Sequence, residues 1–430
     1  MNIYKKDLDY TQPIIICILL LIMVSSVYSQ QNRDMQYFRY PDKRGINVFE
    51  APKTTDIQFD ELKVRIGGSN TLQFQALTND DVGPDLDPNF NLATSNLDLD
   101  VQVYDGMRLH LRTYLSSRHH SEAWVKGGYL QIDKLTFLGE DFMAGTMENL
   151  TIKVGHMEIN YGDAHFRRSD NGQAIFNPFV GNYIMDSFTT EIGGELYYQN
   201  QGGFLGMVGL SNGKLNQSTV SPAVDTRPAI MGKIGYDSGY DPFMRGRLTV
   251  STYSASQAAS IYLYSGDRAG GRYYNVADAT DFSGRFSPDF TISGMAPGGP
   301  AGGSMTALMI NPFVKFLGLE FFGMYENVRG KNETEEDNRT FNQYGAELLY
   351  RFGVGADDNL YLGGRYNLVT GDRANNDEIE ISRINLGGGW FLTRNVLTKI
   401  EYVTQSYDGF TGDLEGAGFN GFMMEAVISF

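Results

Sequence analysis

The last ten residues of this 430-residue chain, Gly421 to Phe430, alternate with a period of two. Phe422, Met424, Ala426, Ile428 and Phe430 fall on one face, while Met423, Glu425, Val427 and Ser429 fall on the other. A strand sends successive side chains to opposite sides, so this segment presents one continuous apolar face and one face that carries polar groups. The constraint sharpens because the pattern recurs. From Leu62 onward about 16 segments alternate in this way, with turn residues between them. Strong examples are Leu62–Gly68, Leu97–Tyr104, Met107–Leu115, Leu150–Ile159, Glu191–Tyr198, Arg245–Tyr253 and Leu360–Leu368. Weaker ones lie near 123–135, 203–211 and 305–315.

The connections alternate in length. Tyr104-Asp-Gly106, Gln199–Gly203, Phe316-Leu-Gly318 and Leu392–Asn395 are short, whereas 78–93, 160–184, 214–226, 265–304, 330–340, 369–380 and 408–417 are long or polar. Short turns at one end and long loops at the other predict an all-β fold, a transmembrane antiparallel up-and-down β-barrel of about 16 strands. The composition agrees, with 50 Gly, 26 Tyr and 27 Phe against 13 Pro. A hydrophobic content of 42% is no objection, since each strand of such a barrel is only half apolar. The link 138–148 is longer than a turn and departs from the pattern. Ile261–Tyr264 alternates too, but a separate strand there would break the up-down order, so it is placed in a loop or as an extension of its predecessor.

At the other end, Lys5 and Lys6 precede an apolar run from Ile14 to Val24, and Val27-Tyr-Ser29 fits a small-residue cleavage pattern. Residues 1–29 therefore read as a cleaved secretory signal peptide, with Asp7 and Asp9 as untidy elements of its charged region. The single cysteine, Cys17, falls inside it, so the exported chain is expected to have no disulfide and no cysteine-based metal site. Residues 30–61 are polar and irregular and read as a periplasmic N-terminal segment or a small plug, leaving 62–430 as the barrel. A net charge of −16 argues against nucleic acid as a partner.

Alternation also assigns faces. Leu109, Leu111 and Leu115 face outward, and Arg108, His110, Arg112 and Tyr114 inward; Leu248 and Val250 oppose Arg245 and Arg247. The same rule turns Lys63, Arg65, Lys153, Lys233, Arg351, Arg365, Arg383 and Lys399 inward, together with Asp98, Asp100, Asp133, Glu191, Glu195, Glu320, Glu326, Glu347 and Glu401. Charge on a lipid face costs about 2–4 kcal/mol near midplane, which enforces this sorting. Arg108, His110, Arg112, Arg245, Arg247, Asp98, Asp100, Glu191 and Glu195 are the candidate pore-lining residues. These charges either pair across the interior and fill it, or line a watery lumen in which basic stripes oppose acidic ones. Tyr198, Tyr236, Tyr350, Phe352, Trp390, Phe391 and Phe430 sit at strand ends, where an interfacial girdle of rings is expected.

The segment 160–184 is rich in aromatics, Arg and Asn-Pro. Folded inward it would narrow the lumen and offer Arg167, Arg168 and Asp170 as a constriction; the alternative is an exposed loop packed on its neighbours. The pair His119-His120 is a metal-binding candidate or plain polar surface. The sequence carries no catalytic constellation, zinc motif or phosphate loop, so neither an enzyme activity, a cofactor nor a metal is expected.

In its plan of alternating strands, and in its aromatic-ended final strand, the chain resembles bacterial outer-membrane barrels. It is similar to the phosphate-selective porin superfamily and to Bacteroidetes porins. The local likeness lies in Val154-Gly-His-Met-Glu-Ile-Asn-Tyr-Gly162 running into Phe176-Asn-Pro-Phe179 and Met185-Asp-Ser-Phe-Thr-Thr-Glu191. The resemblance implies a Gram-negative outer-membrane location and passage of small polar solutes or ions. It further implies contact with lipid and lipopolysaccharide, recognition of the terminal Phe430 by the barrel-assembly machinery, and a homotrimer. The basic ladder that gives those porins phosphate selectivity has no residue-by-residue counterpart in this chain. Two other readings remain at this point: a fatty-acid-type transporter for hydrophobic substrates, with 30–61 as a hatch, and a non-conducting barrel component of an envelope assembly.

Overall fold

The computed structural model describes residues 34–430 except 81–84, 92, 116–122, 214–226, 240, 242, 259–260, 265–273, 277–283, 289, 291–302, 333, 354–357, 375–377 and 413–414. The expected leader 1–29, the His119-His120 pair and most of the Gly-rich stretch 294–303 lie outside the described residues. In chain order the strands are β1 (Lys63–Asp80), β2 (Asn89–Phe90), β3 (Thr94–Tyr104), β4 (Met107–Leu115), β5 (Ala123–Ile132), β6 (Leu150–Glu158), β7 (Thr190–Gln199), β8 (Phe204–Ser211) and β9 (Ala229–Asp237). They continue as β10 (Met244–Ala258), β11 (Gly303–Phe316), β12 (Leu319–Asn332), β13 (Arg339–Phe352), β14 (Leu360–Asp372), β15 (Glu378–Thr393), β16 (Val396–Asp408) and β17 (Gly418–Ser429).

From β3 to β17 each strand pairs antiparallel with its successor, and β1 pairs with both β3 and β17, so the sheet closes on itself. The result is a closed 16-strand up-and-down barrel plus the two-residue β2, which lies against Phe74 and Gln75 of β1. Closure gives every long strand a paired neighbour on both sides. The chain end takes part in it: Gly68 and Phe430 exchange both backbone hydrogen bonds at 3.0 Å.

The period-two pattern decides which face is which. Leu97, Val154, Val208, Ile234, Leu248 and Leu362 stand on the outside and are each more than half exposed. Their inward neighbours Asp98, Lys233, Arg247 and Tyr361 are buried. An apolar exterior around a charged interior inverts a soluble protein and suits strands that meet hydrocarbon. No helix among the described residues is long and apolar enough to cross a membrane.

Several strands outrun their apolar pattern. β1 continues to Asp80, β10 to Ala258 and β12 to Asn332, because backbone pairing with neighbours extends the ladder through polar residues such as Ser254 and Asn327. The irregular link after β5 contains a 3₁₀ turn at Thr136–Leu138 and a single helical turn at Ala144–Met147. Ile261–Tyr264 forms a buried turn instead of a strand, with the Leu263 carbonyl accepting from Phe188 N–H at 2.8 Å. One girdle assignment is corrected: Trp390 is 57% exposed but Phe391 is 2% exposed, packed inside with Tyr361. Adjacent strand residues cannot share a face.

Candidate functional site

The interior is built from three layers of chain: the strand wall, the segment 159–189, and residues 34–58. The segment 159–189 leaves the end of β6 and is buried almost throughout, with Ala174, Asn177, Ile184 and Met185 inaccessible. Its backbone has no regular partner of its own, so the wall supplies one. Lys399 donates to the carbonyls of Ala174, Asn177 and Phe179 at 3.0, 3.1 and 2.9 Å. Arg365 donates to Gly181 O and Arg383 to Asn182 O, both at 2.6 Å. Asn367 and Gln343 accept from the N–H groups of Ile184 and Met185. From the opposite side, Thr71, Thr94 and Asn96 donate to the carbonyls of Gly172, Asn171 and Asp170. A buried irregular backbone is stable only when its polar groups are met in this way. The segment thus bridges β1 and β3 to the wall of β13–β16.

Residues 34–58 lie against that bridge. Gln36 is tied to Gln102 and to Gly106 N–H, and Arg39 donates to Phe166 O at 2.9 Å with its guanidinium over the Phe176 ring. Asn47 donates to Glu320 at 2.8 Å, and its carbonyl accepts from Arg245 at 2.6 Å.

The candidate lining residues fall into distinct clusters. Asp98 and Arg112 are register partners joined by two hydrogen bonds of 2.7 and 2.8 Å. Asp100 accepts from Arg108 at 2.9 Å, Arg65 at 3.3 Å and lies 2.8 Å from His110 Nδ1. Across the interior, Arg245 holds Asp237 through two bonds, while Arg247 holds Asp163 at 2.8 and 2.9 Å and Glu50 at 2.9 Å. Lys233 completes that group, 2.7 Å from Asp163 and 3.1 Å from Glu50. Basic and acidic stripes were expected on separate parts of the wall; instead each arginine of these pairs meets a carboxylate on a neighbouring strand or on the enclosed chain. Strand neighbours lie closer than opposite walls, so the shorter pairing wins.

Glu191 and Glu195 have no ion pair among the described residues. Glu191 accepts from Ser211 and from Tyr253 at 2.8 Å, and Glu195 from Tyr197 and from Asn160 N–H at 2.9 Å. Arg167 lies 2.9 Å from both Glu320 and Glu347, Arg168 grips Asp186, and Asp170 meets Lys126. None of the three, Arg167, Arg168 and Asp170, projects as an unpaired charge.

The electrostatics of the enclosed chain follow from these pairings. Burial by itself would raise the Glu50 carboxyl, but Arg247 and Lys233 beside it hold it down to about 2. Burial likewise opposes ionisation of Asp163, and the same two cations keep it below the usual carboxylate range. Burial works against the Arg167 cation, and Glu320 and Glu347 more than restore it.

Five partners of these clusters escaped the sequence reading: Glu50, Asp163, Asp186, Asp237 and Lys126. Glu50 and Asp163 lie in irregular chain, where no periodicity points a side chain anywhere. Lys126 is turned inward by a register shift opposite Arg112 and Thr113, which breaks the alternation of β5. The adjoining Gly127-Gly128 pair is the available signal of that irregularity.

No family model matches the chain, and no curated protein sequence does. Solved structures do match in shape. An anion-selective porin from Comamonas acidovorans superposes with a TM-score of 0.55 at 13% identity, covering 86% of this chain and 100% of that one. The trimer form of OmpT, an outer membrane protein of Vibrio cholerae, gives 0.53 at 11% identity over 86% of this chain and 100% of its own. The outer membrane channel DcaP of Acinetobacter baumannii gives 0.51 at 11% identity, over 86% of this chain and 98% of its own. The fold is a porin barrel. At such identities the likeness is one of fold, and no residue role passes with it.

Proposed function

We propose that this chain is an outer-membrane channel giving passive diffusion of small polar solutes or ions. It would reach that membrane through a leader at 1–29, with Phe430 read during assembly and with homotrimers standing in lipid and lipopolysaccharide. The observation that carries the reading is the sorting of charge. Apolar side chains cover the outside of a closed 16-strand barrel, while Arg65, Arg108, Arg112, Arg245, Arg247, Arg365 and Arg383 all turn inward. An interior built only for structure would be cheaper with apolar filling, since buried ion pairs rarely improve on well-packed hydrophobic residues. The segment 160–184 serves as the constriction, with Arg167, Arg168 and Asp170 fixed by their partners, and 34–58 acts as a plug beside it. Asp98, Asp100, Arg108, His110 and Arg112 form one lining cluster, Arg245 and Arg247 a second, and Glu191 with Glu195 a third. The charged interior disfavours a fatty-acid-type transporter, whose cargo needs an oily path. Phosphate selectivity is no part of the reading, because a carboxylate pairs with each arginine of the first two clusters.

The test is conductance in a planar bilayer, with the full chain and with a variant lacking 34–58. Stepwise conductance from the full chain, larger in the deletion, is expected. Silence from both, in protein that retains heat-modifiable migration, overturns the channel and leaves a non-conducting envelope component.

A further inference from the structure

A cavity of about 170 Å³ lies between β3–β7 and the enclosed segments. Five carboxylates line it, Glu50, Asp98, Asp100, Glu158 and Asp170. Each has a basic partner: Arg247, Arg112, Arg108, His165 and Lys126 in that order. Lys153 also lines this space and is different. Among the described residues its ammonium meets the Tyr197 hydroxyl, at the long distance of 3.4 Å, and the faces of Tyr197 and Tyr129 at 4.8 and 5.6 Å from the ring centroids, and no carboxylate. Its register partner Glu195 is turned away, engaged by Tyr197 and by the Asn160 N–H. Two residues on, Gly155 takes a φ of +138°, and a Cβ there would lie 2.8 Å from Tyr129 Cα. A side chain at 155 is therefore excluded, which keeps the β6 side of Tyr129 clear beside Lys153, while the His110 ring packs on its β4 side with centroids 5.2 Å apart. Phe188 and Phe166 extend the ring-lined wall.

We infer that this cavity binds a small organic monoanion with a flat ring body, its carboxylate on Lys153 and its ring against the Tyr129 side chain. The inference deepens the channel reading, since it names the solute class that pauses in the same interior. One ammonium without a carboxylate asks for one negative group, because each lining carboxylate already holds a cation of its own. Size agrees: an engineered apolar cavity of about 150 Å³ holds benzene, so a ring with one carboxylate is near the upper limit here.

Benzoate is the probe, with benzamide as the neutral control of the same shape. Equilibrium dialysis or calorimetry with the full chain in detergent reads binding whether or not the barrel conducts. Benzoate should bind about tenfold or more tightly than benzamide, the ratio expected from one charge-assisted hydrogen bond. Lys153→Gln should bring benzoate down to the benzamide level, Lys153→Arg should retain the preference, and Tyr129→Leu should weaken both ligands. Equal binding of the two ligands to the unaltered protein overturns the inference without recourse to any variant. So does a folded Lys153→Gln protein that keeps the preference. Benzoate binding in a silent barrel would remove the channel and keep the site; conductance without benzoate preference would do the reverse.

Discussion

The two sides of this interior treat their charges differently. Along β3–β4 the wall pairs largely with itself: Asp98 takes Arg112 and Asp100 takes Arg108 from the adjacent strand, and the enclosed chain adds Asp170 to Arg112 and to Lys126 of β5. Space remains in front of them, and the cavity opens there. Along β12–β16 the charges instead reach inward to the enclosed chain. Glu320 and Glu347 hold Arg167, while Lys399, Arg365 and Arg383 hold carbonyls of 174–182. Phe176, Phe179, Leu349 and Tyr361 fill what is left with apolar contact. A charged barrel interior is thus not by itself a watery one. What decides is how much enclosed chain packs on the wall: 170–172 meets β1 and β3 at three carbonyls, whereas 174–185 runs across β13–β16.

The contrast makes the β12–β16 side the costlier one to disturb. Glu347→Gln leaves Arg167 and Arg365 short of a carboxylate in the packed side, and should cost about 3–5 kcal/mol of stability, the usual effect of breaking a buried pair. Asp98→Asn leaves Arg112 with Asp170 at 3.5 Å beside the cavity. It should cost about 1–3 kcal/mol. Denaturant titration of both variants compares them, and equal losses would erase the distinction between the two sides.

A pH series sharpens it at the enclosed segment. Glu50 is depressed to about 2 from an ordinary 4.5, so its contribution is complete above 4.5 and fades as pH falls toward 2. The stability advantage of the unaltered protein over Glu50→Gln should shrink through that window and stay flat above it. An advantage that is constant from pH 5 to about pH 2 would remove Arg247 and Lys233 as its partners.

The smallest effect expected is on ion preference. Arg108→Gln with Arg112→Gln frees Asp98 and leaves Asp100 with Arg65 and His110 beside the open space, so the reversal potential in a salt gradient should move toward cations. Arg383→Gln, on the packed side, should leave it unchanged in a barrel that still conducts. A shift from Arg383→Gln and none from the β4 pair would reverse the two sides.

Much of this architecture was legible in the residues. All 16 long strands coincide with alternating segments, because a side chain's face follows from its parity once one face must be apolar. Parity failed at Lys126, where a register shift reset it, and it was not applied at Phe391, where a girdle was read from position at a strand end. Strand ends were misjudged at Asp80 and Ala258, since hydrogen bonding to a neighbour, invisible in one sequence, carries a strand past its apolar stretch.

The interior divides along the same line. That Arg108, Arg112, Arg245, Arg247 and Arg365 point inward was fixed by local alternation, a property of each strand alone. That Arg112 takes Asp98, Arg247 takes Asp163 and Glu50, and Lys153 takes no carboxylate among the described residues was decided by register and by the path of 34–58 and 159–189. Those segments have no period, and their course is set by which wall groups meet their carbonyls and N–H groups. Sequence determined the barrel because strand pairing repeats one rule; only the tertiary structure decided the site, because an enclosed irregular chain is held by contacts far apart along it.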